Sequence, residues 1–385
     1  MESNIFPLDR AEIRSALLEC VASIEPVLLE HRERNEEQRC LVPEVAEALR
    51  GSPLIKMKSP REVGGAEMHP VDQMDVIEAL TKIDSAVAWS VLIASGIGGR
   101  VMAALPEETV EELLAEGAFP LIAGSLMPNG KAVEVEGGYR VSGRWAWGSG
   151  LRHSDYVTVP VILENQKGVV RVVVPCSEVS PVDDWFSLGM KGTGSSSYVI
   201  DDVFVPNRFT SKEAQPVRGG ALFRLGYGYA TNEHAIFAYA LAKGALEEMI
   251  ASAAKKKRGY VKAIGIADRE VFQRVVGEGE LRLKATRLLM ADVLERLFDS
   301  AEETAASLEL QAEARATAVL CTDEAMAVTT NLFRYAGGQA VMQGDSIQQA
   351  LRDLLTAQSH LMVSDSAYES LGRLRLGLTD QAPLR

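Results

Sequence analysis

The sequence predicts an α+β protein in three parts: an N-terminal helical domain, a central antiparallel β barrel or sandwich, and a C-terminal four-helix bundle. Apolar residues first recur at helical spacing, change near residue 118 to the pattern of short strands, and return to helical spacing after Gly220. We therefore expect domains at residues 1–117, 118–215 and 216–385. A chain of 385 residues is long enough for two or three such domains.

The N-terminal part has the pattern of packed helices, because its apolar residues recur every three or four positions from Asp9 to about Glu116. Residues 60–65 (PREVGG) combine a proline with paired glycines and predict a turn. A further helix is expected to begin at Asp84 and Ser85, which are both good N-cap residues.

The central part has the pattern of a small β domain. Short segments rich in β-branched and aromatic residues are separated by Gly, Pro, Asp or Asn. These segments are residues 120–125, 132–135, 139–147, 156–163, 169–174 and 198–205. The sequence Glu136-Gly137-Gly138-Tyr139 is typical of a hairpin turn, which favours antiparallel pairing.

The C-terminal part has four long helical segments joined by short connections. They cover residues 225–255, 267–299, 302–335 and 345–373, and each carries an apolar stripe. Long helices with short connections predict an up-and-down bundle.

The composition argues against several classes of function. With 40 Lys and Arg against 53 Asp and Glu, the formal charge is −13, which disfavours nucleic acid as a partner. Four scattered cysteines form neither a disulfide framework nor a metal-binding spacing, so we expect no metal site. The N-terminus does not have the pattern of a signal peptide, and no apolar run reaches about 18 residues. We therefore expect a cytoplasmic protein that does not cross a membrane.

Four stretches, in this order, resemble the acyl-CoA dehydrogenase superfamily over nearly the whole chain. They are residues 60–65 (PREVGG), 84–89 (DSAVAW), 143–150 (GRWAWGSG) and 189–206 (GMKGTGSSSYVIDDVFVP), followed later by GGQ and RD. The resemblance implies the fold of that superfamily, with a flavin cofactor and a closed homotetramer.

Two chemistries occur in this superfamily, and the loop after Gly338 helps to separate them. Acyl-CoA dehydrogenases commonly carry a glutamate six residues after this glycine, where the present chain has Gly344. Glycine offers no base for removing a proton beside a thioester, and the adjacent Asp345 is expected to cap the next helix. Some dehydrogenases place the base on the first bundle helix, near Glu233 or His234. A dehydrogenase with FAD, an electron-transfer partner and Glu233 as its base is therefore the alternative.

The pair Arg352-Asp353 followed by His360 resembles instead the flavin-dependent monooxygenase branch, whose two-component members take reduced flavin from a partner reductase. On one continuous helix, the spacing from Arg352 to His360 would place both residues on neighbouring faces. The resemblance implies an oxygenase component that uses reduced FMN or FAD and O2 to hydroxylate a small aromatic or heteroaromatic substrate through a flavin hydroperoxide. A third hypothesis is a helical scaffold that has lost its chemistry.

The resemblance also implies roles for individual residues. His360 would orient or protonate the distal peroxide oxygen, or would take a proton from the substrate, although a lone histidine is often structural. Ser149 would lie beside flavin N5, unless it is a turn serine bonded to its own backbone. Trp147 would pack near the flavin ring, unless it belongs to the core. Trp145, two positions earlier, would be core or pocket wall on the same strand face.

Further residues match family positions that contact flavin or substrate. The remaining expected flavin contacts are Ser125, Gly150, Thr193, Ser195, Arg334, Gly337 and Gly338, of which the last three would reach the flavin of a neighbouring subunit. Thr193 and Ser195 could otherwise form a plain β-turn, and the paired glycines also end a helix. The expected substrate contacts are Trp89, Glu233 and His234. The segment around His234 could otherwise be an ordinary helix start capped by Thr231 or Asn232.

Overall fold

The computed structural model describes residues 6–378, apart from residues 116, 118, 165–167, 213–215, 254, 256 and 259–263. The chain divides into two compact units. The first contains the chain up to Val76 together with Ala86–Phe186 and Lys191–Phe223, and the second contains Ile77–Ser85, Ser187–Met190 and the chain from Arg224 onward. The domain boundaries predicted at residues 118 and 215 lie outside the described residues and stay a prediction.

Helices form the N-terminal part of the chain, as predicted. Within the described residues they are α1 (Arg10–Gln38), α2 (Pro43–Arg50), α3 (Pro70–Ile83), α4 (Ser85–Ala104) and α5 (Glu107–Leu114). Asp9 caps α1, because its carboxylate accepts hydrogen bonds from the backbone N–H groups of Ala11 and Glu12. The start of α4 at Ser85 confirms the predicted helix start.

Helix α4 corrects one expectation from the sequence. It contains an 18-residue window that is long and apolar enough to cross a membrane, although we expected no such run. Of that window, 72% is buried within the protein. A helix that is apolar on all sides and mostly enclosed is typical of a core helix.

The central strands form a mixed sheet. Within the described residues they are β1 (Ile122–Gly124), β2 (Gly130–Val135), β3 (Gly138–Trp145), β4 (Tyr156–Leu163), β5 (Val169–Pro175), β6 (Ser180–Pro181), β7 (Tyr198–Pro206) and β8 (Thr210–Lys212). Their order is β6-β7-β3-β2-β4-β5-β8, and β1 also pairs with β4. The predicted hairpin is confirmed, since β2 and β3 pair with Val135 opposite Gly138.

The expectation of a purely antiparallel sheet was wrong, because β1 and β2 both run parallel to β4. A two-residue turn forces its two strands to be antiparallel, but β3 and β4 are joined by the longer segment of residues 146–155. That segment returns the chain beside β2 instead of beside β3. The same segment carries Trp147, Ser149 and Gly150.

The core of the first unit lies between this sheet and the nearby helices. Trp145 and Tyr198 are fully buried there, with stacked rings whose centroids are 5.9 Å apart. Val101 of α4 and Leu113 of α5 belong to the same buried cluster. Trp145 is therefore core, one of the two roles expected for it.

The second unit is built from long helices. Within the described residues they are α6 (Gly226–Ala253), α7 (Glu270–Glu303), α8 (Leu308–Ala336), α9 (Ser346–Gln358) and α10 (Ser366–Arg375), with short paired strands β9 (Lys257–Arg258) and β10 (Ile264–Gly265) after α6. Asp345 caps α9 as predicted, because its carboxylate accepts hydrogen bonds from the N–H groups of Ile347 and Gln348.

The fourth predicted bundle helix is in fact two helices. Helix α9 ends at Gln358, and a short 3-10 turn at Leu361–Val363 precedes α10. His360 has an extended backbone, and its side chain accepts a hydrogen bond from the N–H group of Met362. This local bond competes with helical hydrogen bonding. The inference that Arg352 and His360 share one helix was therefore wrong.

Candidate active site

A chain of hydroxyl groups surrounds Ser149 in the first unit. The indole N–H of Trp89 donates to Ser149 Oγ at 3.1 Å, and Ser149 Oγ lies 2.8 Å from Ser195 Oγ. Ser195 Oγ in turn lies 2.7 Å from Thr193 Oγ1. These contacts join four residues that the sequence placed in three separate motifs. The Ser149 hydroxyl bonds side chains, in contrast to a turn serine that bonds only its own backbone.

Two backbone hydrogen bonds hold the turn that presents Ser149. The N–H of Gly148 donates to the carbonyl of Ser196 at 2.9 Å, and the N–H of Gly150 donates to the carbonyl of Thr193 at 3.0 Å. Gly150 has a positive φ of 78°, and a Cβ on Gly148 would lie 2.7 Å from the ring of Tyr198. The turn therefore requires glycine at both positions.

Trp147 projects from this turn with an exposed ring. Its side chain is 70% exposed, and its φ of 59° places a bulky residue in the left-handed region. Such strain commonly marks a functional position. A flavin ring needs a flat apolar surface and polar partners at its edge, and Trp147 beside the hydroxyl of Ser149 offers both. The residues present thus fit a flavin.

One further polar group lies beside this turn. In the described part of the chain, the buried Oγ of Ser196 forms no hydrogen bond, so a polar atom is still available beside the turn. Ser125, another expected flavin contact, follows β1 and is half-buried, and its hydroxyl accepts a hydrogen bond from the N–H of Met127 at 3.3 Å.

His153 was given no role from the sequence, although it lies four residues after Ser149. Its Nε2 would be 3.1 Å from a Cβ on Gly150, and its buried Nδ1 forms no hydrogen bond to the described residues. Burial, helped by the nearby charge of Arg50, lowers the pKa of His153 to about 4, against a smaller opposing effect of Asp155. The ring is therefore neutral at pH 7.

The second unit brings two histidines together. The rings of His234 on α6 and His360 have centroids 4.2 Å apart, with planes tilted by 40°. The pKa of His360 lies well below its usual value, mainly because the ring is buried and also because His234 is a neighbour. His360 is therefore neutral at pH 7. Sequence spacing alone could not place these two rings in contact.

The start of α6 differs from the expected helix start. The helix begins at Gly226, so that Thr231 and Asn232 lie inside it instead of capping it. Their side chains donate to the carbonyl of Gly228 at 2.9 and 2.8 Å. Glu233 is half-buried on the same helix. His234 is only 6% exposed.

Asp353 forms a buried clamp whose role the sequence did not predict. Its carboxylate accepts hydrogen bonds from the hydroxyl of Ser85 at 2.6 Å and from the N–H of Met190 at 2.5 Å. One turn further along α9, Thr356 Oγ1 accepts from the N–H of Gly189 at 3.0 Å. Met190 has a φ of 53°, and these bonds hold it in that conformation. The Arg352-Asp353 pair, named for its resemblance to the monooxygenase branch, was the only signal for this clamp in the sequence.

The end of α8 and the loop after it contain the remaining predicted residues. Gly337 has a φ of 90°, and a Cβ on Gly338 would meet open space. Arg334 is exposed and lines a groove of about 370 Å³ between α7 and α8. Gly344 has a φ of 87°, a conformation in which a glutamate would be strained. The described residues contain no cluster of three potential metal ligands.

Comparison with known families gives two matches. Residues 10–116 match the family described as acyl-CoA dehydrogenase, N-terminal domain, and residues 233–365 match acyl-CoA dehydrogenase, C-terminal domain. The two ranges together cover more than half of the chain.

The chain is also similar to named monooxygenases over most of its length. It is 27% identical to the oxygenase subunit HsaA, a flavin-dependent monooxygenase of Mycobacterium tuberculosis, over 93% of this chain and 95% of the relative. It is 25% identical to the indole-3-acetate monooxygenase of Pseudomonas putida over 89% of each chain. Among solved structures, XiaF from Streptomyces sp. in complex with FADH2 and glycerol matches with a TM-score of 0.89 and 23% identity, covering 97% of this chain and 98% of that one.

Proposed function

Because the chain belongs to the acyl-CoA dehydrogenase superfamily, we propose that it is the oxygenase component of a two-component flavin-dependent monooxygenase. It uses reduced FMN or FAD and O2 to hydroxylate a small aromatic substrate. Relatives named as a flavin-dependent oxygenase subunit and as an indole-3-acetate monooxygenase support this function.

The observation that carries the proposal is the pair of imidazoles in the second unit. His234 and His360 are in ring contact, and Gly344 stands where a dehydrogenase would commonly have its glutamate. An imidazole can donate or accept a hydrogen bond during oxygen insertion, whereas dehydrogenation of a thioester requires a base held against the substrate.

We assign the flavin-holding role to the turn around Ser149. Reduced flavin supplies the two electrons with which O2 is activated. Trp147 offers its exposed face to the ring, and Gly150, Thr193 and Ser195 support the turn. If Ser149 donates to Ser195 and Ser195 donates to Thr193, Ser149 Oγ accepts from Trp89 and keeps one lone pair that can accept from the N5–H of reduced flavin. Trp89 is 3% exposed, and its indole N–H donates to Ser149 Oγ, which holds this hydroxyl in place.

The remaining residues are assigned as follows. Ser125 contacts the flavin near the end of β1, while Arg334, Gly337 and Gly338 reach the flavin of a neighbouring subunit in a homotetramer. Glu233 and His234 line the substrate side. The sequence has no dinucleotide-binding fingerprint, so a separate reductase supplies the reduced flavin in the cytoplasm. The three-domain division at residues 117 and 215 belongs to this proposal.

Stopped-flow spectroscopy tests the proposal. The protein is mixed anaerobically with reduced FMN or FAD, and oxygenated buffer is then added. We expect a transient absorbance that outlasts that of free flavin by at least tenfold, and hydroxylated product when an aromatic substrate is present. Oxidation of the flavin at the rate measured without protein would contradict the function.

The alternative is a dehydrogenase with Glu233 as its base. Glu233 supports this alternative, because it lies half-buried on α6, one residue before His234. Reduction of bound FAD by acyl-CoA substrates would support it, and Glu233→Gln should then abolish that reduction. Under the proposed function, acyl-CoA substrates leave the flavin oxidised in both proteins.

A further inference from the structure

We infer that Ser195 gives the turn around Ser149 its affinity for reduced flavin. Ser195 acts through the hydroxyl of Ser149 and is therefore a positioning residue. The inference rests on the proposed function, in which Ser149 lies beside flavin N5. It follows from a chain of hydroxyl groups whose donor direction can reverse.

The chain of hydroxyl groups leads from the turn into the interior of the first unit. Ser149 is half-buried, whereas Ser195 is 5% exposed and Thr193 is fully buried. Ser195 Oγ lies 2.8 Å from Ser149 Oγ and 2.7 Å from Thr193 Oγ1. A hydroxyl has one proton to donate and two lone pairs that can accept. Ser195 can therefore give its proton either to Ser149 or to Thr193.

Trp89 removes part of this freedom at Ser149. An indole N–H can only donate, so at 3.1 Å it occupies one lone pair of Ser149 Oγ. Ser149 keeps one proton and one lone pair. One of these bonds Ser195, and the other is left for the flavin. The direction of the bond between Ser149 and Ser195 thus decides whether the flavin meets a donor or an acceptor.

The two redox states of the flavin need opposite partners at N5. Oxidised flavin has a lone pair and no proton at N5, whereas reduced flavin carries an N5–H group. Toward oxidised flavin, Ser195 donates to Ser149, and Ser149 donates to N5. Toward reduced flavin, Ser149 accepts from N5–H and donates to Ser195, which in turn donates to Thr193. Each hydroxyl only rotates about its C–O bond, so no covalent bond changes.

Thr193 is needed in one of these two directions only. With reduced flavin, Thr193 Oγ1 accepts from Ser195, which a hydroxyl oxygen can do whichever group its own proton bonds. With oxidised flavin, Ser195 donates to Ser149 and requires no acceptor at Thr193. Loss of the hydroxyl of Ser195 or of Thr193 therefore impairs only the direction that suits reduced flavin. Reduced flavin is the form that the proposed oxygenase takes from its reductase.

Dissociation constants for the two redox states test the inference without turnover. Titrations of FMN and FAD give the Kd of the oxidised forms, and anaerobic titrations give the Kd of the reduced forms. In Ser195→Ala, the Kd of reduced flavin should rise about five- to tenfold, which is the worth of one hydrogen bond, while the Kd of oxidised flavin changes by less than about twofold.

Thr193→Val distinguishes the chain from a direct contact between Ser195 and the flavin. Valine lacks the hydroxyl, so Ser195 keeps Ser149 as its acceptor and holds the chain in the direction that suits oxidised flavin. The Kd of reduced flavin should again rise while that of oxidised flavin stays nearly constant. Ser90→Ala is the matched control, because this buried serine donates to the carbonyl of Ala86 within its own helix at 2.8 Å. It should change neither Kd.

The ratio of the two constants is the diagnostic quantity. A variant that merely folds less well binds both redox states more weakly by the same factor, which leaves the ratio unchanged. An unchanged ratio in Ser195→Ala, or a shift in Ser195→Ala without one in Thr193→Val, overturns the inference.

Failure of the inference can be told apart from failure of the proposed function. If the unmodified protein slows the oxidation of reduced flavin but neither variant shifts the ratio, the function stands and Ser195 loses its role. If the unmodified protein binds neither FMN nor FAD in either redox state, the proposed function and the inference fail together.

Discussion

Trp145 and Trp147 lie two residues apart but have opposite environments. Trp145 is fully buried, and its indole N–H donates to the carbonyl of Met127 at 3.1 Å. Trp147 is 70% exposed. Strand alternation would put both on one face, and that expectation was wrong because β3 ends at Trp145 and the backbone of Trp147 turns left-handed.

This difference predicts separate effects on flavin binding and stability. Trp147→Gly should weaken the binding of reduced flavin, while the free energy of unfolding stays constant or rises by about 1 kcal/mol because glycine adopts positive φ without strain. Trp145→Ala, the matched control, should lower the free energy of unfolding by about 3–5 kcal/mol. Flavin titration and urea denaturation measure the two quantities. Equal destabilisation by both variants would contradict this reading of the turn.

Ser149 should control how long the oxygen-reactive state of the enzyme lasts. Ser149→Ala removes a hydroxyl worth about 1 kcal/mol in one hydrogen bond, so the transient absorbance in stopped flow should decay about five- to tenfold faster. Ser23→Ala is the control, because its hydroxyl donates to the carbonyl of Cys20 on an exposed face of α1. An unchanged decay in Ser149→Ala would remove this residue from the flavin site.

The clamp at Asp353 predicts a loss of stability. In Asp353→Asn the side chain keeps one acceptor oxygen and gains an NH2 group opposite either the Ser85 hydroxyl or the N–H of Met190. Loss of a buried charge-assisted bond should lower the free energy of unfolding by about 2–3 kcal/mol. Asp292→Asn, at an exposed ion pair on α7, should change it by less than about 1 kcal/mol. Similar values for both variants, from chemical denaturation, would show that the clamp contributes little.

The lowered pKa of His153 predicts how stability depends on pH. In the unfolded chain this histidine takes up a proton below about pH 6.5, whereas the folded protein resists protonation until about pH 4. Below pH 6.5 the unfolded state therefore binds more protons, and stability falls as the pH falls. Over that range the shift corresponds to about 3 kcal/mol.

His153→Gln tests this dependence, because glutamine does not titrate. The free energy of unfolding, measured at intervals from pH 7 to pH 4.5, should fall less steeply in the variant than in the unmodified protein. His69→Gln is a control with a histidine outside the turn. If the slopes of His153→Gln and the unmodified protein agree, His153 titrates normally in the folded state.

Several residues of the candidate site could be predicted from the sequence, because they belong to recognisable motifs. Ser149, Thr193 and Ser195 were singled out before their hydroxyls were found in one hydrogen-bonded chain. The role of Asp353 could not be predicted from the sequence, since its hydrogen-bond partner Ser85 is 268 positions away. The pairing of His234 with His360 was likewise hidden, because the two residues lie on different elements.

The sequence alone determined the order of helices, sheet and bundle, the hairpin at Gly137, the cap at Asp345 and the glycine at position 344. These features depend on periodicity and turn chemistry within a few residues. The tertiary structure alone decided the parallel pairing of β4, the break before His360 and the contact between the rings of His234 and His360. Each of these depends on which backbone and side-chain groups meet once distant segments pack, and local sequence carries no information about that choice.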